Sequence, residues 1–441
     1  MVEGITEISV RGYKSLAKEC SIEVRPLTIL AGPNSSGKSS IMQPLLLMKQ
    51  TLEESYDTGD LKISGPNVKY TLAEQFLSRL SSKKKAENFS IGIKVDGTKS
   101  IVETFRKERR KGIELVDMVY EDEDKKFALH PEMTAEEIIA ANPVVGDRWK
   151  KIQEIFRKRK QNKLELRVRR NRCFLEIIIF VIEDGGKEEE LPLLFPISEA
   201  FEKDIRELIH VPALRGNPRR NYDVAAVGTS FPGTFEKYMA SIVNEWQRNN
   251  DSRLDDLGNS LQMLGLTWKV GSKPVDDTSV EILVGRLQHS TRGGSKDLVS
   301  IADVGFGVSQ TLPVLVALLV ARSGQLVYVE QPEIHLHPRA QIAMSQILTD
   351  AANRGVRVVV ETHSSLLLLG IQSQVAEGNI DPKNIKLHWF KRRPEDGVTE
   401  VISADLDEAG AFGDWPEDFA DVELIEQSRY MDAAEQRLRN R

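Results

Sequence analysis

Eight residues, GPNSSGKS at positions 32–39, restrict the fold more than any other segment of the chain. An apolar run, LTILA, precedes them, and the helical pattern KSSIMQPLLLMKQ begins at Lys38. A G-x-x-x-x-G-K-S turn between a buried strand and a helix surrounds phosphate oxygens with backbone amides. We expect Lys38 to reach the terminal phosphates of a nucleotide and Ser39 to offer its hydroxyl to Mg²⁺. The predicted nucleotide-binding residues are Gly32, Pro33, Asn34, Ser35, Ser36, Gly37, Lys38, Ser39 and Ser40.

The composition is that of an ordinary globular protein. The chain has 441 residues, 40% of them hydrophobic and 29% charged, and this length predicts two or three domains. A net charge of -6 indicates no general attraction to nucleic acid, so such a site would be a local patch. Cys20 and Cys173 are too few for a disulfide framework or a zinc cluster, which favours the cytoplasm. The apolar runs are shorter than a membrane span, and no export signal is recognisable.

Strands and helices alternate regularly after Ala302. The helical pattern SQTLPVLVALLVARS leads to the buried strand QLVYVEQ, and RAQIAMSQILTDAANRG leads to VRVVVETH. This alternation predicts an α/β fold with a mainly parallel sheet. Near the N-terminus, ITEISVRGYKS alternates like an edge strand and indicates an antiparallel β part. We expect a head domain at residues 1–50 and 205–393, a mixed α+β insertion at 51–204, and an acidic tail with a helix at 394–441.

Acidic and histidine residues follow two of the buried strands. LVYVE ends in Glu330, which faces the ligand crevice if the sheet is parallel and can hold the Mg²⁺ hydration shell beside Ser39. The next residues, QPEIHLHP, contain His335 and His337, but no further ligand completes a zinc spacing. VVVETHSS ends a second buried strand and contains Glu361 and His363.

These motifs, in this order, resemble the ABC-type ATPase heads of the RecF, SMC and OLD families. GPNSSGKSS, EQPEIHLHP and ETHSS carry the resemblance, which is closest to bacterial OLD-like ATPases without a nuclease domain. The resemblance covers roughly residues 1–50 and 210–390. It implies ATP and Mg²⁺ as cofactors. It also implies a homodimer or higher oligomer, in which ATP lies between the phosphate loop of one chain and a signature segment of the other.

The resemblance also assigns roles around the water that attacks ATP. Glu330 takes the position associated with Mg²⁺, and Gln331 takes the position of the catalytic base. A carboxamide cannot accept a proton as a carboxylate does, although it can orient water. Glu333 is the nearest spare carboxylate, so the base is either Glu333 or a water held by Gln331. His363 matches the switch histidine that stabilises charge at the terminal phosphate.

The signature segment is expected in DVGFGVSQTLPVLVALL. Gly305 and Gly307 allow close backbone approach, and Ser309 follows them where the family pattern has a serine before its glycines. Upstream, VPALRGNPRRNY holds three arginines that either sense phosphate, contact nucleic acid or belong to a solvated loop. They are Arg215, Arg219 and Arg220.

The insertion contains a basic segment at residues 148–172. Such clusters bind nucleic-acid backbones, but few aromatic residues accompany this one, and a solvated helix or protein-docking arm is the reading we favour. Its basic residues include Arg157, Lys158, Arg159, Lys160, Arg167, Arg169 and Arg170.

Asp405 and Asp407 in the tail form a D-x-D pair of the kind that metal-dependent nucleases use, but no matching glutamate motif accompanies them, and we favour an acidic surface turn. The resemblance implies a switch ATPase that acts with a separate effector, a nuclease or toxin, in bacterial anti-phage defence. The alternatives are a DNA-binding ATPase of repair or chromosome maintenance, and an OLD-like nuclease.

Overall fold

The structure is a computed structural model. It describes residues 3–79, 85–108, 112–123, 125–157, 162–183, 187–191, 198–224, 228–287, 297–413 and 421–439.

Nineteen strands and ten helices are described, and their bounds follow in chain order. The strands are β1 Ile5–Arg11, β2 Cys20–Glu23, β3 Leu27–Ala31, β4 Asn88–Val95, β5 Lys99–Glu108, β6 Gly112–Asp122, β7 Lys125–Leu129, β8 Asn162–Asn171, β9 Phe174–Glu183, β10 Glu188–Leu191, β11 Ile209–Val211, β12 Tyr222–Asp223, β13 Val270–Pro274, β14 Ser279–Gly285, β15 Leu298–Ser300, β16 Leu326–Glu330, β17 Arg357–Thr362, β18 Ile385–Arg392 and β19 Thr399–Ala404. The helices are α1 Lys38–Leu52, α2 Ala135–Ala141, α3 Pro143–Arg157, α4 Glu199–Glu207, α5 Met239–Asn249, α6 Arg253–Met263, α7 Phe306–Val320, α8 Pro338–Asn353, α9 Ser365–Ala376 and α10 Asp421–Arg439.

A six-stranded sheet with the order β11-β16-β17-β3-β18-β19 forms the centre of the predicted head. The first five strands run parallel, and β19 pairs antiparallel with β18. Helices separate these strands along the chain, as parallel pairing requires. The predicted α/β fold with a mainly parallel sheet is therefore confirmed. Because β19 completes this sheet, the first part of the predicted acidic tail belongs to the head.

The two faces of this sheet bury different side chains. Ile29, Val327 and Val329 pack in one hydrophobic core with helices α5 to α9. Leu30 and Tyr328 point the other way into a second core, which includes much of α1 and the N-terminal strands. The two-residue repeat of a strand sends neighbours to opposite faces, so continuous apolar runs such as LVYV indicate burial on both sides.

A second six-stranded sheet, antiparallel throughout, has the order β2-β1-β4-β5-β6-β7. The prediction that ITEISVR is an edge strand is wrong, because β1 lies between β2 and β4. Strands that come before and after residue 51 in the chain pair in this sheet and pack in one hydrophobic core. The predicted domain limit at residue 51 therefore does not coincide with a boundary between two sheets or two cores.

Two smaller sheets complete the described strands. β10-β9-β8 lies in the predicted insertion, and β12-β14-β13, with β15 beside β14, packs against α5. The predicted capping box is present, since the Thr134 hydroxyl accepts from the Glu137 amide at the start of α2. None of the described helices is long and apolar enough to cross a membrane.

Glu103 is a buried carboxyl group in the core of the antiparallel sheet. It lies on β5, opposite Ile91 and Met118, and neither of its oxygens has a hydrogen-bond partner. Burial raises the pKa of Glu103 well above its usual range. The side chain is therefore a neutral acid among apolar neighbours, and it costs stability wherever the unfolded chain would ionise.

Replacing Glu103 with methionine should stabilise the protein by about 2 kcal/mol at pH 7. Below the ordinary pKa of glutamate, Glu103 is protonated in both the folded and the unfolded protein. As the pH rises above that pKa, Glu103 ionises only in the unfolded protein. The stability of the wild type therefore falls, and the advantage of Glu103→Met grows. Urea denaturation at pH 5 and pH 8 measures this difference.

Glu176 is the matched control, because its buried carboxylate accepts from Asn171 at 2.8 Å, and Glu176→Met should destabilise the protein. A smaller gain at pH 8 than at pH 5 would contradict the assignment.

Candidate active site

A cavity of about 850 Å³ opens where β3, β16 and β17 end. Residues 34–40 form one wall, and Gln331, Glu361 and His363 form another. Ligands of parallel α/β sheets bind beyond the carboxyl ends of the strands, which is where this cavity lies. Four basic side chains also line it, namely Lys14, Arg79, Lys85 and Arg392.

The phosphate loop has the conformation that its glycines allow. Gly32 and Gly37 have φ angles of 143° and 108°. A Cβ atom on Gly32 would lie 2.3 Å from the Phe390 carbonyl oxygen, and one on Gly37 would lie 2.8 Å from Thr399 Oγ1. Larger residues would therefore push the loop away from the sheet. Gly37 is also the N-cap of α1, so the positive end of the helix faces the cavity.

Thr399 supports the loop from outside. Its hydroxyl lies 2.6 Å from the Ser36 carbonyl oxygen, to which it donates, and its amide donates to the Ser15 carbonyl at 2.8 Å. The sequence had placed Thr399 in the tail without a role, because only the pairing of β19 with β18 brings it here.

Lys38 is buried within the loop that it follows. Its Nζ donates to the carbonyl oxygens of Gly32 and Pro33, at 2.9 Å each. Burial lowers the pKa of Lys38, and the nearby carboxylates Glu361 and Glu333 oppose this shift. The ammonium is held by neutral carbonyls, which phosphate oxygens would replace with stronger, charge-assisted bonds.

Ser39, the predicted Mg²⁺ ligand, donates its hydroxyl to Glu361 Oε1 at 3.0 Å. The Tyr328 hydroxyl donates to the other oxygen of Glu361 at 2.9 Å. Burial raises the pKa of Glu361, against the opposing effect of the Ser39 hydrogen bond. The Ser39 and Glu361 oxygens are ligands of the type that Mg²⁺ takes in phosphate sites, so the residues fit the cation that accompanies ATP.

Glu330 has different neighbours. Its Oε1 lies 3.2 Å from His210 Nε2, and its Oε2 accepts from the Ala213 amide at 3.2 Å. Burial acts to raise the pKa of Glu330, but His210 and the amide hold it below its usual value. His210 is a neighbour that sequence reasoning missed, because β11 reaches β16 only through the sheet order. Glu330 is not among the residues that line the cavity.

Gln331 lines the cavity in a left-handed backbone conformation. Its φ angle is 46°, and its amide donates to the Glu361 carbonyl at 2.7 Å. This hydrogen bond continues the pairing of β16 with β17 by one residue. Gln331 and the phosphate loop line the same cavity, and the role of Gln331 toward the attacking water stays a prediction.

Glu333 contacts the backbone of the predicted switch histidine. Its Oε1 accepts from the His363 amide and from the Thr362 hydroxyl, both at 2.8 Å, and Oε2 is buried without a partner. Burial raises the pKa of Glu333, while these donors oppose the shift. His363 lines the cavity, and burial and the Lys38 charge lower its pKa. Glu333 is not a lining residue.

Arg215 joins the end of β16 to helix α7. Its guanidinium donates to the carbonyl oxygens of Glu330 at 2.6 Å, Gln331 at 3.2 Å and Gln310 at 3.1 Å. Burial lowers the pKa of Arg215 to about 10, so it stays charged at neutral pH. The solvated-loop alternative is wrong for Arg215, because its side chain is buried and donates to three backbone carbonyls. Arg220 does lie at the surface, where it pairs with Asp303.

The signature segment lies away from the cavity of its own chain. Gly305 and Phe306 are exposed at the start of α7, whereas Ser309 is buried and donates its hydroxyl to the Phe306 carbonyl at 3.1 Å. A Cβ atom on Gly307 would lie 3.1 Å from Leu266 Cδ2. The contact of Gly305, Gly307 and Ser309 with a nucleotide of a second chain stays a prediction.

The arginines of β8 pair with acids, one of them on β8 itself and the others from other segments. Arg167 contacts Glu165 of the same strand and Glu188, Arg169 contacts Glu190, and Arg170 contacts Asp60. Three of these four acids lie outside the basic segment, so the segment alone does not show that its arginines are paired. These ion pairs reduce the positive potential available to nucleic acid. Lys158, Arg159 and Lys160 lie outside the described residues, as does the side chain of Arg157.

The D-x-D pair in the tail is engaged in structural contacts. Asp405 forms ion pairs with Lys386 and Arg25, both at 2.9 Å, and Asp407 accepts from the amides of Ala409 and Ala411. No cluster of metal-ligating side chains is present among the described residues. These contacts favour the surface-turn interpretation over a nuclease site.

The sheet order, the phosphate loop at the end of β3 and the cavity beside it define a P-loop nucleotide-binding protein with an α/β fold. The sequence matches the AAA ATPase domain family, AAA_15, over residues 4–368, and the chain belongs to this family. The predicted ABC-type ATPase head is thereby confirmed, and membership of an ATPase family implies ATP binding. The closer likeness to OLD proteins stays a prediction.

Solved structures of Smc heads are similar to the chain at low identity. An SmcHead bound to the C-winged helix domain of ScpA is 12% identical, with a TM-score of 0.45, and the match covers 92% of this chain and 99% of that one. The SMC head domain from Thermotoga maritima is 9% identical, with a TM-score of 0.35 and coverage of 90% and 98%. An Smc head with an extended coiled coil, bound to a ScpA domain from Pyrococcus furiosus, is 11% identical, with a TM-score of 0.46 and coverage of 97% and 99%. No curated protein matches the sequence.

Proposed function

We propose that this protein is a slow switch ATPase, which binds ATP with Mg²⁺ and alternates between ATP-bound and ATP-free states. One observation carries the proposal: Lys38, Ser39, Gln331, Glu361 and His363 meet in a single cavity at the strand ends. Phosphoryl transfer needs positioning and charge stabilisation more than covalent chemistry, and these groups supply both.

Each group has a role that its position supports. Lys38 donates to the terminal phosphates, and His363 stabilises charge beside Gly32 and Lys38. Mg²⁺, held near Ser39, neutralises charge on the phosphates when it is bound. Gln331 orients the attacking water through its carboxamide. No carboxylate replaces it at that position, which is why we expect slow turnover.

Glu333 positions His363 in this mechanism, because its carboxylate accepts from the His363 amide.

Replacing Gln331 with alanine should lower kcat on the order of a hundredfold, because the group that orients the attacking water is lost. Glu333→Gln keeps an acceptor for the His363 amide and should change kcat only severalfold. Steady-state phosphate release at saturating ATP measures both variants. If Glu333→Gln loses as much activity as Gln331→Ala, or more, Glu333 is the base.

The switch is proposed to work as a head-to-head dimer with a separate effector protein, a nuclease or toxin, in bacterial anti-phage defence. The support is the motif resemblance and the engagement of Asp405 and Asp407 in structural contacts. Phage plaque counts on cells that express the protein with its neighbouring genes test this role. Protection should be lost with Lys38→Ala, and unchanged plaque counts in the wild type would contradict it.

A further inference from the structure

His210 is a buried histidine on β11 whose two ring nitrogens both have partners. Its side chain is 2% exposed. Nδ1 lies 3.0 Å from Asn67 Oδ1, and Nε2 lies 3.2 Å from Glu330 Oε1. Because an ionised carboxylate can only accept hydrogen bonds, Nε2 carries a hydrogen and donates it to Glu330. The ring therefore joins the segment around Asn67 to the acid that ends β16.

The neighbouring strand fixes the plane of the His210 ring. His210 pairs in register with Tyr328, so the two side chains point to the same face of the sheet. Their rings are nearly parallel, with an angle of 10° between the planes and 5.4 Å between the centroids. The stacking on Tyr328 and the contact with Asn67 together keep Nε2 directed at Glu330.

Glu330 is held at three points by β11 and the turn after it. His210 donates to Oε1, the Ala213 amide donates to Oε2 at 3.2 Å, and Arg215 donates to the Glu330 carbonyl oxygen at 2.6 Å. Each carboxylate oxygen has a second lone pair, which can accept a hydrogen bond from water bound to Mg²⁺. The three contacts therefore orient the carboxylate without using all of its acceptor positions.

Glu330 is the neighbour of the acid that contacts the phosphate loop. It pairs in register with Glu361, whose Oε1 accepts from Ser39, the predicted Mg²⁺ ligand. The Tyr328 hydroxyl donates to Glu361 and also interacts with Glu330. Partners in the outer shell of a metal orient its ligands and its bound water, so a displaced Glu330 carboxylate changes the surroundings of the cation.

We propose that His210 is the positioning residue of Glu330, and that its Nε2–H group determines how tightly the ATP site holds Mg²⁺. The inference rests on the proposed ATPase function and extends it to a side chain that is not among the described residues lining the cavity. The effect of His210 passes through the Glu330 carboxylate, which turns away from the cation when the donor is lost.

Three substitutions separate the two nitrogens of His210. His210→Gln places an amide near the position of Nε2 and keeps a donor for Glu330, whereas His210→Asn reaches only the position of Nδ1. His210→Phe keeps a ring that can stack on Tyr328 and loses both polar contacts. Equilibrium binding of a fluorescent ATP analogue to the full chain, at a series of Mg²⁺ concentrations and in EDTA, measures each variant.

His210→Phe and His210→Asn should each raise the Mg²⁺ concentration needed for half-maximal binding about tenfold, because an outer-shell partner of the cation is lost. His210→Gln should stay within about threefold of the wild type. All three should bind the analogue in EDTA as the wild type does, whereas damage to the fold would weaken binding in both conditions. Equal effects of His210→Gln and His210→Asn, or a larger effect of His210→Gln, would overturn the inference.

Combination with Glu330→Gln provides a second measurement. This substitution should itself raise the Mg²⁺ concentration needed, and adding His210→Phe should then change it less than about twofold, because both act through one carboxylate. Additive effects would overturn the inference. A wild type whose binding does not respond to Mg²⁺ would also overturn it and leave nucleotide binding intact. A wild type that binds the analogue in neither condition would overturn the proposed function itself.

Discussion

ATP binding should weaken roughly a hundredfold when Lys38 is replaced by alanine, which corresponds to about 3 kcal/mol. The ammonium group lies within the loop, where only the carbonyls of Gly32 and Pro33 hold it. Phosphate oxygens accept stronger hydrogen bonds than these carbonyls do, so the lysine favours the nucleotide-bound state. Titration with a fluorescent ATP analogue measures the affinity, and phosphate release measures the loss of turnover.

The same variant should fold normally. Burial of Lys38 is unfavourable without a nucleotide, as its lowered pKa indicates, so its removal should leave the melting temperature of the ATP-free protein unchanged or higher. The stabilisation that ATP gives to the wild type should disappear. If ATP still raises the melting temperature of Lys38→Ala as much as that of the wild type, the nucleotide binds elsewhere.

Replacing Arg215 with alanine should destabilise the protein by about 3 kcal/mol and reduce turnover as well. The substitution removes the donor from the carbonyls of Glu330, Gln331 and Gln310, and buried acceptors without partners are costly. Because Gln331 loses its support, kcat should fall more than the affinity for ATP. Urea denaturation and steady-state kinetics give the two effects separately.

Arg220→Ala is the matched control from the same loop. Its side chain is exposed and pairs with Asp303 at the surface, so we expect a change below about 1 kcal/mol and normal turnover. Arg215→Lys keeps the charge, but its compact ammonium group cannot reach all three carbonyl oxygens. We expect its kcat to fall nearly as far as that of Arg215→Ala, and its stability to fall less. Equal stability of the Arg215→Ala and Arg220→Ala variants would refute the bridging role.

Local patterns in the sequence predicted the elements around the site well. The phosphate loop, the buried strands before Glu330 and His363, and the helices after them lie where apolar runs and glycines placed them. Those features depend on neighbouring residues, whose spacing is visible in the chain. The parallel sheet also followed, because strands joined by helices have few other arrangements.

Contacts between distant segments were not predictable in this way. Thr399 reaches the phosphate loop, and Glu361 reaches Ser39, only because β3 lies beside both β17 and β18. The same limit hid the acids that pair with Arg167 and Arg169, which come from β10.

The position of β3 in the sheet also determines when the ATP site can form during synthesis. β3 is made early, yet its neighbours are β17 and β18, at residues 357–362 and 385–392, and Thr399 follows them. Proteins fold as the ribosome releases them from the N-terminus, and pairings between distant segments form slowly. The phosphate loop therefore gains its neighbouring strands and Thr399 only after residue 399 has been made, and nascent fragments that end before β17 carry the motif without a working site.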